Sequence, residues 1–177
     1  MKKVLVIIEI FIIFLILYFL QSNFFSWYNI SGILPNLFVI LALFIGLFIG
    51  KTYGLILGIV LGLVLDFFIG MRIGINAIAM GISGLLGGIL DRNFSKENRI
   101  TLMFMVFVTT LIYEIVTYIL QILICNMQIE IVAFLKIIVI EIIYNLIITI
   151  IIYSSFQRFG NYVENIFIED KTFIKYF

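Results

Sequence analysis

Residues 34–93 read LPNLFVILALFIGLFIGKTYGLILGIVLGLVLDFFIGMRIGINAIAMGISGLLGGILDRN, and this stretch decides the fold. It is long enough for three membrane crossings and holds 11 of the chain's 13 glycines. Five of them, Gly46, Gly50, Gly54, Gly58 and Gly62, stand on a strict four-residue ladder, with Asp66 at the next position. Small residues at this spacing let helices approach closely in lipid. An acid inside so apolar a run is costly and usually has a purpose. The stretch therefore predicts an all-α membrane protein built on helix contact.

Composition agrees. The chain is 64% hydrophobic and 12% charged, with a mean hydropathy of +1.29. That is about half the charge of a soluble domain, too little to cover one. The single Cys125 has no disulfide partner, and without any His a Cys/His zinc site is unavailable. No cofactor or metal is expected. A net charge of +1 gives no reason to expect nucleic acid.

Apolar runs predict six transmembrane helices over residues 4–20, 35–49, 52–69, 73–90, 100–124 and 131–156. The first follows Lys2 and Lys3 and lacks a small-residue cleavage site, so it reads as an uncleaved span. Pro35 suits the first turn of the second helix. That helix is short for a bilayer, and either tilts against its neighbour or forms a partly re-entrant pair with the third around Lys51. An N-terminus inside places nine of the eleven Lys and Arg in the cytoplasm, leaving Arg72 and Lys136 on the outer side. Both termini are then cytoplasmic. Residues 1–156 read as the membrane domain and 157–177 as a cytoplasmic amphipathic tail resting on the inner leaflet, with a simple extension of the sixth helix as the alternative.

The candidate residues carry two readings each. A four-residue step drifts about 40° around a helix, so the ladder makes a curved groove, split between the second and third helices near Lys51. Gly54, Gly58 and Gly62, with Gly84 and Gly88 on the fourth helix, either pack this protein's own helices or admit a partner's helix. Asp66 pairs with Arg72 across the turn, caps the fourth helix, or meets a partner. Glu114 lies within the fifth helix near Thr110 and Thr117. On the sixth, Glu141 and Asn145 share a face. Asp66, Glu114 and Asn145 are expected to turn inward. Enzymatic readings fail on the residues. There is no His for a Ser/His pair. The flank Gly62-Leu63-Val64-Leu65-Asp66 lacks the Gly-x-Gly-Asp pattern of two-acid membrane proteases. Ile45 stands where a phosphate-binding loop before Gly50-Lys51-Thr52 needs glycine. The protein is expected not to be an enzyme.

Pro35-Asn36, Gly54-x3-Gly58, and Asp66-x3-Gly70-x3-Gly74-x-Asn76-Ala77, with the basic loop at 91–99, Glu114 and Asn145, together resemble the rod shape-determining MreD family. The resemblance implies a fold similar to the S-components of energy-coupling-factor transporters. It also implies a multi-pass scaffold in the bacterial inner membrane that binds MreC. Its further partners would be MreB, RodA and a class B penicillin-binding protein, in support of rod shape and lateral peptidoglycan synthesis. The glycine-lined groove would then receive MreC's single helix. The shared fold leaves a second reading open, a vitamin-binding subunit of an uptake transporter with Asp66, Glu114 and Asn145 in its site.

Overall fold

The computed structural model describes residues 2–69, 72–94, 96–125 and 128–173. Helix is the main element, and no strand occurs among the described residues. Six helices follow in order: α1 (Lys2–Trp27), α2 (Leu37–Ile49), α3 (Lys51–Ile69), α4 (Ile75–Asn93), α5 (Arg99–Cys125) and α6 (Ile131–Phe173). α1, α3, α5 and α6 are long and apolar enough to cross a membrane, while α2 and α4 are shorter apolar helices.

α2 is the centre of the molecule. Its sequence, LFVILALFIGLFI, has no polar residue on any side, and all thirteen residues are buried. A helix that is apolar all round needs cover all round, and α2 touches each of the other five helices. At about 20 Å it falls short of a 30 Å hydrocarbon core. Its buried ends therefore need partners for their unpaired backbone groups. At the start, the Asn36 side chain accepts from the Val39 N–H at 3.3 Å. Gln21 accepts from the Leu37 N–H at 3.0 Å. Gln21 lies in a π turn (Leu20–Phe24) that interrupts α1. Asn36 is thus the cap, with nonhelical φ of −103°, and Pro35 precedes the helix. The expectation of Pro35 in the first turn is corrected by two residues: a side-chain cap fixes the start.

One residue, Gly50, joins α2 to α3. Its φ of 109° and ψ of 167° lie in a region open essentially to glycine. The chain reverses there, and α2 and α3 form a tight hairpin. α4 returns along both, packing most heavily on α3 and then on α2. α5 and α6 pair with each other and close the opposite side of α2, and α1 lies against α2 and α6. α1 buries only Val6, Ile10 and Phe14 along its helical run to Phe19.

α6 has 43 residues, about 65 Å at helical rise, longer than a whole bilayer. The segment from Gln157 to Phe173 continues this helix without a break. Phe156, Gly160, Val163 and Phe167 recur at helical spacing and are buried. Phe156 packs edge-on against Phe44, with ring centres 4.7 Å apart. Phe167 meets Tyr53 at 5.1 Å, and Lys3 lies over the Phe167 ring at 5.4 Å. Val163 and Phe167 of the apolar stripe thus pack on the protein's own helices, while Ile174 and Phe177 lie outside the described residues. The start of α1, the α2–α3 turn, the loop after α4 and the end of α6 all gather at one end of the bundle.

Candidate functional site

The glycine ladder is a seam between α2, α3 and α4. A Cβ added at Gly58 would stand 2.5 Å from the Met80 carbonyl oxygen of α4. At Gly62 it would stand 2.5 Å from the Cα of Ala77, and at Gly87 2.5 Å from the Leu43 carbonyl oxygen. Gly54 and Gly84 abut each other's backbones, Gly84 also abuts Gly46, and Gly88 abuts Lys51. Only hydrogen fits in these gaps. α4 fills the groove that sequence left open to either use, so these glycines face no space for another protein's helix.

Beyond the end of this seam lies Asp66, fully buried. Its carboxylate receives the first N–H groups of α4: Gly74 at 2.7 Å, Asn76 at 3.1 Å and Ala77 at 3.3 Å. The Asn76 side-chain amide adds a fourth donor at 2.8 Å. A negative group at a helix N-terminus satisfies unpaired donors and complements the helix dipole. Gly74 has φ of 109°, and this left-handed turn aims its N–H back at the acid. Arg72 is exposed, and no ion pair joins it to Asp66 among the described residues. Of the sequence readings of Asp66, the cap of α4 is the arrangement present. Gly70 lies outside the described residues.

The Asn76 oxygen accepts from the Tyr113 hydroxyl of α5 at 2.6 Å, extending the network outward. A parallel arrangement holds α2. Asn145, fully buried on α6, accepts from the Asn36 N–H at 2.8 Å and donates to Thr110 at 3.1 Å. The three acids and amides expected to turn inward, Asp66, Glu114 and Asn145, all do so. Asp66 and Asn145 serve the starts of two different helices, α4 and α2, and Glu114 interacts directly with Glu141 of α6. Glu141 is buried, and its Oε1 has no hydrogen-bond partner.

Above these residues is a cavity of about 590 Å³ between α5, α6 and the starts of α2 and α4. Asn36, Asn76, Tyr113, Glu114, Gln121 and Glu130 supply much of its polar lining. Thr117 donates to the Tyr113 carbonyl at 2.7 Å. The Tyr118 hydroxyl accepts from the Glu130 N–H at 3.0 Å and ties down the α5–α6 connection.

At the opposite end, Lys96 is a second polar centre. Its ammonium donates to the Leu47 carbonyl at 3.1 Å, one of the unpaired acceptors that end α2. It also bonds Glu164 at 2.8 Å and Asp91 at 3.0 Å, and lies over the Phe48 ring at 4.8 Å. Gln157 donates to the Lys96 carbonyl at 2.5 Å. One side chain thus joins α2, α4 and the long extension of α6. Sequence spacing gives no sign of it, because Lys96 and Glu164 are 68 residues apart. Gln21 and Tyr113 were missed for the same reason. Asn36 did carry a signal: Asn directly before an apolar run is a cap pattern.

A family model described as rod shape-determining protein MreD matches residues 1–163. No curated protein matches the chain. No solved structure matches it.

Proposed function

The chain belongs to the rod shape-determining protein MreD family, and we propose that it is a non-enzymatic scaffold of the bacterial cell-wall elongation complex. In this reading it is a multi-pass protein of the inner membrane that binds MreC. With MreB, RodA and a class B penicillin-binding protein it supports lateral peptidoglycan synthesis. The observation that carries the reading is the α2–α4 seam. Backbone-to-backbone packing without side chains makes a stiff block, capped at both ends of α2 and at the start of α4. A stiff block offers partners a fixed platform.

The basic residues support the orientation. Lys3, Lys51 and Lys96 lie at the end where α1 begins and α6 ends, so the positive-inside rule assigns that end to the cytoplasm. The test is retention of tagged MreC by this chain after gentle detergent extraction, with rod shape scored in cells depleted of the native protein. Retention of MreC and restored rods are expected. A folded chain that retains no MreC contradicts the proposal.

The polar cavity favours one further reading, a small-molecule-binding subunit of the S-component type. A gene neighbourhood encoding transport ATPases supports that reading, and neighbours encoding MreB and MreC support the scaffold.

A further inference from the structure

We propose that the cavity between α5 and α6 binds an organic ammonium group, carried by a small free amine or by an ethanolamine lipid headgroup. The inference stands apart from the scaffold reading and holds whether or not MreC is the partner. Its volume of about 590 Å³ lies in the range of small-molecule sites. The lining has a marked sign. Glu114 and Glu130 contribute carboxyl groups, Asn36, Asn76, Gln121 and Gln128 contribute amides, and none of the described lining residues is Lys or Arg. Glu141 lies against two of the lining residues, Glu114 and Asn36. It is only 6% exposed, and its Oε1 is unpartnered.

A pair of acids in the middle of an apolar bundle is expensive unless something offsets it. Two other buried polar side chains are matched: Asp66 by four donors, Asn145 by Asn36 and Thr110. At the cavity, Glu141 Oε1 is buried without a hydrogen-bond partner, and its neighbour Glu114 is another acid. An ammonium group brings one positive charge and three donors. Tyr118 and Phe134, stacked with ring centres 3.9 Å apart, form an aromatic wall suited to a cation. An anion would meet carboxyl groups and no base. A metal ion fits less well, because no group of three or more His, Cys, Asp or Glu among the described residues is placed to hold one.

The test uses the purified full chain. In one arm, ethanolamine is titrated into the detergent-solubilised protein, with sodium acetate at matched ionic strength as the control. In the other, the protein is placed in nanodiscs of phosphatidylglycerol with or without phosphatidylethanolamine. The readout is the melting temperature, taken against each variant's own baseline. The expected result is a saturable rise with ethanolamine or with phosphatidylethanolamine, and none with acetate. A rise only in the first arm identifies a free amine, and a rise only in the second identifies the headgroup. Glu114→Gln should weaken the apparent affinity at least tenfold. Gln121→Ala, farther along the cavity wall, keeps both acids and should weaken it less. Absence of a rise in both arms overturns the proposal, as does an equal rise for wild type and Glu114→Gln.

Discussion

At the residue scale, Asp66 has the clearest role. Four donors converge on one buried carboxylate, and three of them are backbone groups. Asp66→Ala leaves these donors unpaired inside the bundle. Loss of such a cap, with buried donors stranded, costs about 2–4 kcal/mol. The expected outcome is a clear fall in melting temperature in detergent, with Asp66→Asn falling less because its oxygen still accepts. Equal stability of Asp66→Ala and wild type would contradict the cap. This site was partly legible in sequence. Asp66, Gly74 and Asn76 lie within eleven residues, so their contact is local and spacing reveals it. Asn36 with Asn145 is separated by 109 residues, and Asn76 with Tyr113 by 37. Such pairs depend on how helices dock, which local pattern does not encode.

At the element scale, α2 and the extension of α6 show where pattern reading succeeds and stops. The apolar run of α2 predicted a helix, and its short length predicted something other than a plain span. Its lack of a polar face is the physical reason: it is the core that other helices cover. The tail shows the opposite case. Its amphipathic period was legible, but period does not say what the apolar face meets. Here Val163 and Phe167 are buried in the protein itself, and Lys96 fastens the outer side through Glu164. Lys96→Ala removes this link and leaves the Leu47 carbonyl without its donor. The expected outcome is faster amide hydrogen exchange over residues 157–167, with little change in α3. Unchanged exchange in that segment would show that apolar packing alone holds it.

At the scale of the whole molecule, six helices present two polar ends of different character. One gathers basic residues and both ends of the described chain. The other holds the caps of α2 and α4 and the acid-lined cavity. With Cys125→Ser as background, a cysteine at Glu97 should be shielded in intact cells from an impermeant thiol reagent, and one at Ile129 should react. The reverse pattern would invert the proposed orientation. Six helices, their order and the family resemblance were legible because each rests on local apolar runs and short motifs. Which partner fills the glycine groove was not, since the same spacing serves α4 or a foreign helix equally well.

If the ladder is an internal seam, the proposed MreC contact lies elsewhere on the molecule. Gly58→Ala tests it directly, because the added methyl meets the Met80 carbonyl. Such overpacking costs about 1–3 kcal/mol. The measurement is the amount of MreC recovered per folded chain, scored beside the variant's melting temperature. A lower melting temperature and unchanged MreC per folded chain are expected. A normal melting temperature with MreC lost would contradict this and return the groove to the partner.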